Sequence, residues 1–121
     1  MSTSNFSISS NSTFTDEIVI KKVISEIEIG LEMLGDTSLD VFLTDEKLKR
    51  ALGMTVINIG ELVKNVTEET RKEFSYIPWK AVAGMRDITA HKYQTLRMED
   101  VYTTVKEDFA VLHEQLKELL L

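Results

Sequence analysis

Residues 86–93 place an arginine, a histidine and a tyrosine close together in an otherwise acidic chain. The guanidinium of Arg86 can hold a phosphate as a planar fork that keeps its charge, and His91 can exchange a proton near neutral pH. These residue types predict a site for RNA phosphodiesters or nucleotides. A second interpretation stays open, in which Arg86 and His91 only complement the negative C-terminal dipole of a helix and Tyr93 packs beneath it.

The charge of the chain is distributed unevenly around this segment. The formal net charge is −6, which argues against non-specific nucleic-acid binding by the whole surface. Between Arg71 and Met98, however, six basic residues stand against two acidic ones, a local charge of +4. Such a basic island can admit a short or single-stranded RNA, with Lys80, Lys92 and Arg97 as candidate RNA-binding residues. The alternative is an ordinary solvated run of charges.

The composition limits the other classes of protein and site. A chain of 121 residues with 43% hydrophobic residues fits one domain with its own core. It has no cysteine and two histidines, so disulfides and cysteine-based metal sites are excluded, and neither a metal nor another cofactor is expected. Because we find no signal peptide and no apolar run of about 18 residues, we expect a cytoplasmic protein without membrane contact.

The spacing of apolar residues predicts helices throughout the chain. Residues 1–14 are rich in Ser, Thr and Asn and predict a flexible tail. Thr15 is the predicted N-cap of a first helix that ends at Gly35. A short helical piece over residues 38–43 leads through Asp45, a predicted cap, into a long helix. Residues 15–121 are therefore predicted to form one all-α domain, an antiparallel bundle of four principal helices plus short helical pieces.

The helix that carries the cluster is predicted to begin near Pro78, whose missing N–H costs nothing in a first turn. Trp79 would pack into the core, and the helix would run through Ile88 and unwind before His91. A last helix is predicted from Met98 onward, with His113 as an ordinary surface residue on its polar side.

Metal-free RNA cleavage requires a base, an acid and a cation near the phosphate. One cluster offers one histidine, His91, and one motif cation, Arg86. If two chains pair so that their clusters face each other across a two-fold axis, both proton-transfer roles are filled. Asp87 could support the site by orienting Arg86 or by fixing the tautomer of His91, although an exposed helix-surface acid is an equal alternative.

The pattern Arg-x4-His-x-Tyr at residues 86–93 resembles the signature of HepT-like toxins, which lie within the HEPN superfamily of small helical ribonucleases. The resemblance extends over roughly residues 16–115 and includes the pieces Phe42-Leu43-Thr44-Asp45, Arg50-Ala51, Ile59-Gly60-Glu61, Ile77-Pro78-Trp79 and Gly84-Met85-Arg86. The family commonly has Asn after the motif arginine, where this chain has Asp87.

The resemblance implies a homodimeric, metal-independent endoribonuclease that acts as the toxin of a toxin–antitoxin pair, with Arg86 and His91 catalytic. The implied partner is a cognate minimal nucleotidyltransferase antitoxin, similar to MntA, that adds AMP to Tyr93 and so inhibits the enzyme. Two alternatives stay open. One is a nuclease-silent, nucleotide-binding partner of such a nucleotidyltransferase, and the other is a structural dimer module whose Arg-His pair only caps a helix.

Overall fold

A computed structural model describes residues 8–87 and 97–121, with side chains from residue 15 to residue 85 and again from residue 97. In these ranges the chain is helical and contains no strand, which confirms the all-α prediction. The elements are listed in chain order: α1 (Ile8–Leu34), α2 (Leu39–Thr44), α3 (Glu46–Val63), α4 (Glu68–Glu73), α5 (Trp79–Ala83), a 3-10 helix (Gly84–Asp87), α6 (Met98–Thr103), a π-helical turn (Thr104–Asp108) and α7 (Phe109–Leu119).

The core lies between α1, α3 and the C-terminal helices. Helix α1 packs along α3 and also contacts the π-helical turn and α7. Helices α1, α3 and α7 contribute buried apolar residues mostly at steps of three and four, so one stripe of each is buried, and the π-helical turn adds Val105. The largest fully buried side chains include Phe42, Phe109, Ile20, Ile27, Leu34, Leu52, Ile59, Ile77 and Leu116. The long helices therefore form a framework against which the shorter elements pack.

Polar side chains begin three of the helices. The side chain of Ser38 accepts from the Val41 N–H at α2, and the Asp45 carboxylate accepts from the Leu48 N–H at 3.0 Å at α3. Thr67 does the same for α4. Each cap satisfies a backbone donor that has no partner within its own helix. The predicted cap at Asp45 and the predicted short helix before it are confirmed.

The beginning of α1 differs from the prediction. The helix starts at Ile8, so Thr15 lies inside it and is not its N-cap. Ser, Thr and Asn are poor helix formers but do not forbid a helix that has already been nucleated by a packed segment, here the part of α1 that follows residue 15. Residues 1–7 lie outside the described range, and the flexible tail over residues 1–14 stays a prediction. The end of α1 at Gly35, which has φ +53°, agrees with the sequence.

The helix that leads to the motif is shorter than predicted. Its α-helical geometry covers only Trp79–Ala83 and then tightens into the 3-10 helix Gly84–Asp87. The sequence predicted one α-helix through Ile88. This prediction was wrong for Gly84–Asp87, which are 3-10 helical. Ile88 lies outside the described residues. The expected unwinding before His91 falls on residues 88–90, which lie outside the described residues, and it stays a prediction.

The last helix is interrupted by the π-helical turn Thr104–Asp108. Directly after this turn, the ring of Phe109 packs against α1 at Gly30, where an added Cβ would lie 2.9 Å from Phe109 Cε2. Gly30 thus allows a close approach of the two helices. The sequence predicted this helix from Met98 onward but gave no signal of the widened turn.

Candidate functional site at the motif-bearing turn

The element that leads to the motif is held by one aromatic residue. Trp79, at the start of α5, is buried, and its Nε1–H donates to the Phe74 carbonyl at 3.0 Å. Ile77 and Val82 are buried on either side of it along the chain. The prediction that Trp79 belongs to the core is confirmed. A five-residue helix has too few internal hydrogen bonds to be stable alone, so this packing fixes the position of α5.

The backbone of Arg86 and Asp87 belongs to the 3-10 helix Gly84–Asp87, which contacts α3. The described structure therefore gives the path of the backbone at the start of the motif but not the directions of these two side chains. His91, Lys92 and Tyr93 lie outside the described residues. The catalytic roles of Arg86 and His91, the supporting role of Asp87, RNA binding by Lys92 and modification of Tyr93 stay predictions.

Two candidate RNA-binding residues flank the segment that is not described. Lys80 lies on α5, before the motif, and Arg97 precedes α6, after it; both are exposed. Within the ranges 8–87 and 97–121 neither side chain forms an ion pair with a carboxylate. Their charges are thus available to solvent, as RNA binding would require, and this role stays a prediction.

Arg71, another member of the basic island, has a structural role. Its guanidinium donates to the Val63 carbonyl at 2.8 Å and to the Val66 carbonyl at 3.2 Å. These carbonyls lie at and just beyond the end of α3, where backbone acceptors lack helical partners. Formal charge counted along the sequence therefore overstated the number of cations that are free to meet a ligand.

A buried carboxylate that the sequence analysis did not single out joins α1 to α4. Asp16 is 3% exposed. Its carboxylate accepts from the Thr67 N–H at 3.0 Å, from the Thr67 hydroxyl at 2.6 Å and from the Thr70 hydroxyl at 2.5 Å. Three donors compensate for the loss of hydration of a buried carboxylate. No local pattern predicts this contact, because its partners are more than fifty residues away in the chain.

His113 is not the ordinary surface residue that its position suggested. Its Nε2 lies 2.8 Å from the Glu28 carboxylate on α1, and its side chain is only 16% exposed. The residue therefore takes part in the contact between α7 and α1. His113 thus has a partner on α1, and His91, which belongs to the motif, stays the candidate catalytic histidine.

The residues just before α5 also contact the C-terminal helix. Partial removal of water raises the pKa of Tyr76 above its ordinary value, and the nearby Glu118 carboxylate, which accepts a hydrogen bond from the Tyr76 hydroxyl, raises that pKa further. The ring of Tyr76 also meets that of Phe74 edge-on, with centroids 6.4 Å apart. These contacts lie at the surface, because Tyr76 is 51% exposed.

An apolar cleft of about 230 Å³ lies between α5 and the C-terminal helices. Its apolar lining comes from Pro78, Ala81, Val82, Met85, Phe109, Val111 and Leu112, and its polar lining from Asp108 and Gln115. Met85 directly precedes Arg86, so the cleft adjoins the start of the motif. The sequence analysis did not predict this cleft. The available signal was Val111, an apolar residue that lies outside the apolar stripe of the last helix.

Two further findings concern the described residues only. In those ranges there is no group of three or more His, Asp or Glu side chains that could hold a metal ion. No helix in the same ranges is long and apolar enough to cross a membrane.

Comparison with known proteins identifies relatives over almost the whole domain. A family model described as Ribonuclease HepT-like matches residues 17–119. A protein of Caldanaerobacter subterraneus subsp. tengcongensis, provisionally named as an RNase, is 34% identical over 101 residues, which cover 84% of this chain and 90% of that protein. A protein of Thermococcus cleftensis, provisionally named as ribonuclease HepT, is 29% identical over 100 residues, 83% of this chain and 91% of that protein.

A longer relative occurs in Methanocaldococcus jannaschii. It is named as a gamma-glutamylcyclotransferase and, provisionally, as an RNase, and it is 32% identical over 104 residues. The match covers 86% of this chain but only 47% of that protein. No solved structure matches significantly.

Proposed function

Because the chain belongs to the HepT-like ribonuclease family, we propose that it is a metal-independent endoribonuclease whose active site forms where the motif segments of two chains meet. The observation that carries the proposal is the position of the Arg86-x4-His91-x-Tyr93 pattern inside the matched residues 17–119. The ribonuclease class predicted from the motif agrees with the family, and the finer roles below are our proposal.

The chemistry follows from the residue types. His91 of one chain removes the proton from the RNA 2′-hydroxyl, and His91 of the other chain protonates the leaving oxygen. The two Arg86 guanidinium groups stabilise the negative charge that builds on the phosphoryl oxygens. Attack by the internal hydroxyl leaves a 2′,3′-cyclic phosphate and needs no metal ion. Lys80, Lys92 and Arg97 hold the RNA backbone on either side of the reacting phosphate.

The proposal includes a partner and a mode of control. We propose that the protein is the toxin of a toxin–antitoxin pair and that a cognate minimal nucleotidyltransferase transfers AMP from ATP to the Tyr93 hydroxyl, which loses its proton, with release of pyrophosphate. Tyr93 is two residues after His91, so the added phosphate would occupy the place of the substrate and neutralise the arginines. Modification of this tyrosine would thus switch the ribonuclease off.

RNA cleavage by the purified protein in EDTA tests the catalytic part. We expect activity to persist and the products to carry 2′,3′-cyclic phosphate or its opened form. His91→Ala should abolish cleavage, and Arg86→Ala should lower the rate on the order of a hundredfold, as loss of one oxyanion-stabilising donor does. Strict dependence on magnesium, or full activity of a folded His91→Ala variant, would contradict the mechanism.

Mass spectrometry of the intact protein tests the control. After incubation with the nucleotidyltransferase and ATP, the wild-type protein should gain AMP-sized mass and lose its cleavage activity. Tyr93→Phe should fold normally, gain no AMP and escape inactivation. Equal modification of both proteins would place the acceptor elsewhere.

One feature of the chain favours a second candidate function, a nuclease-silent partner of a nucleotidyltransferase. Asp87 adds a negative charge next to Arg86, where the family commonly has an uncharged asparagine, and a carboxylate there disfavours the approach of a phosphate. The variant Asp87→Asn separates the two candidates. If Asp87→Asn gains RNA cleavage while the wild-type protein has none but still accepts AMP, the nuclease-silent function is correct.

A further inference from the structure

Helix α6 carries an exposed cation on the C-terminal side of the motif segment. Arg97 directly precedes the helix, and its carbonyl accepts hydrogen bonds from the Asp100 N–H at 3.0 Å and from the Val101 N–H at 3.3 Å. The backbone of Arg97 is thus part of the first turn of α6. Any shift or rotation of α6 therefore moves the guanidinium of Arg97 with it.

Helix α6 has few supports within its own structure. It contains six residues, and Arg97, its N-cap residue, makes no side-chain cap hydrogen bond among the described residues. A helix of this length is unstable alone. The π-helical turn Thr104–Asp108 follows it and interrupts the α-helical hydrogen-bond pattern before α7 begins. Because the α-helical hydrogen bonds do not run unbroken from α6 into α7, side-chain contacts must fix the position of α6.

Two neighbouring side chains of α6 provide such contacts. Val101 is 3% exposed and packs into the core. Tyr102 is half-buried, its ring centroid lies 5.4 Å from that of Phe42 on α2, and its hydroxyl donates to the Thr37 carbonyl at 2.7 Å. Burial of an apolar side chain has no preferred direction, whereas a hydrogen bond has one. The Tyr102 hydroxyl therefore sets the orientation of α6.

The acceptor of this hydrogen bond is itself held in place. Thr37 lies in the connection between α1 and α2, and its N–H donates to the Leu34 carbonyl at 3.0 Å. The side chain of the next residue, Ser38, accepts from the Val41 N–H at the start of α2. These two bonds fix the Thr37 carbonyl between the last turn of α1 and the first turn of α2. Tyr102 thus ties α6 to the framework of the bundle across 65 positions of sequence.

We propose that Tyr102 is a positioning residue for RNA binding, which through its hydrogen bond to Thr37 holds α6 in the orientation in which Arg97 meets an RNA phosphate. The inference rests on the proposed function, which gives Arg97 that contact. Tyr102 does not contact the RNA and acts through α6. A guanidinium binds a phosphate through paired N–H groups, so the contact depends on orientation. Loss of the Tyr102 hydroxyl should therefore weaken RNA binding through Arg97.

The test removes one hydroxyl at each of two tyrosines. Tyr102→Phe keeps the ring against Phe42 and loses the hydrogen bond to Thr37. Tyr76→Phe is the matched control, because Tyr76 is 51% exposed, lies outside α6 and loses only its hydrogen bond to Glu118. Fluorescence anisotropy measures binding of a short single-stranded RNA with methylated 2′-hydroxyls, which blocks cleavage, at a temperature where circular dichroism shows folded protein. We expect Tyr102→Phe to weaken binding by up to the few-fold loss of Arg97→Ala, and Tyr76→Phe to bind like the wild type.

A double-mutant cycle separates positioning of Arg97 from a general loss of structure. In the Arg97→Ala background, Tyr102→Phe should weaken RNA binding no further, because the cation that it orients is absent. A purely structural role would weaken binding equally in both backgrounds. Hydrogen exchange provides a measurement without RNA: in Tyr102→Phe the amides of α6 should exchange faster than in the wild type, while those of α3 stay unchanged.

The outcomes distinguish this inference from the proposed function. If Arg97→Ala weakens RNA binding and a folded Tyr102→Phe does not, Arg97 keeps its proposed role and the positioning by Tyr102 is wrong. An equal loss in both backgrounds, or unchanged exchange of the α6 amides, would also overturn the inference. If Arg97→Ala binds RNA like the wild type, the role given to Arg97 under the proposed function fails, and the inference fails with it.

Discussion

The junction between α1 and α4 and the turn between α5 and the 3-10 helix are held in place by different means. At the first, the buried Asp16 carboxylate accepts three hydrogen bonds from Thr67 and Thr70. At the second, the buried ring of Trp79 fixes a five-residue helix, and Lys80 beside it extends its charge into solvent. The first region uses its polar groups internally, whereas the second leaves a cation available.

This difference shows how a small helical protein can separate stability from ligand binding. The Asp16 carboxylate accepts three hydrogen bonds within the protein and is only 3% exposed, so little of it is accessible to a ligand. Trp79 is held by burial of its ring and by one hydrogen bond to a backbone carbonyl, so this attachment uses no charged side chain and leaves the charge of Lys80 available to a ligand. Substitutions in the two regions should therefore differ in whether stability or binding is lost.

The largest expected effect is on Trp79. Trp79→Ala should lower the free energy of unfolding by about 3–5 kcal/mol, since it removes a large buried side chain and leaves a cavity. Trp79→Phe keeps an aromatic ring but loses the donor to the Phe74 carbonyl, and should cost clearly less. Urea unfolding followed by circular dichroism measures both. A cost below about 1 kcal/mol for the alanine variant would show that packing of Trp79 does not fix α5.

Substitution of Asp16 should have the next largest effect. Asp16→Ala removes the acceptor of three hydrogen bonds and should destabilise the protein by roughly 2–3 kcal/mol. Glu17→Ala, at the neighbouring exposed position, is the control and should change stability little. Thermal unfolding measures the difference. RNA cleavage by the folded Asp16→Ala protein should equal that of the wild type, and a specific loss of activity would refute the separation of the two regions.

A pair of glycine substitutions should give smaller effects of opposite sign. Gly30→Ala puts a Cβ 2.9 Å from the Phe109 ring and should cost about 1–3 kcal/mol. Gly84, at the start of the 3-10 helix, has φ −63°, and among the described residues outside its own helix and chain neighbours no atom lies within 4 Å of an added Cβ, so Gly84→Ala should stabilise by about 0.4–1 kcal/mol. Denaturant midpoints measure both changes. Equal effects at the two sites would mean that Phe109 moves away from Gly30 at little cost.

The smallest effects are expected at the exposed cations near the motif. Lys80→Ala and Arg97→Ala should each weaken RNA binding a few-fold and lower the slope of log K against log salt by about 0.7, the value for one phosphate contact on a single strand. Lys21→Ala is the control, because Lys21 pairs with Glu17 on α1. Fluorescence anisotropy over a series of salt concentrations measures the slopes. An equal decrease for Lys21→Ala would show that binding follows net charge rather than these two positions.

Local patterns predicted those features whose causes are local. Asp45 caps α3 as expected because its carboxylate meets an amide only three residues away. Trp79 is buried as expected, and the last helix begins at Met98. The motif and its family were also identified from residues 86–93 and the pieces around them. The N-terminal boundary failed at Thr15, because a helix that packs from residue 16 onward can extend backward through residues of low propensity.

Other features depend on residues that are distant in the chain. The sequence by itself determined an all-α domain, its caps and the residue types of the motif, since these follow from contacts within one or two helical turns. Only the tertiary structure showed that His113 meets Glu28 and that an apolar cleft adjoins residue 86. The physical reason is that each of these depends on how helices approach one another, and the energy of that packing is shared among many side chains rather than encoded in any one segment.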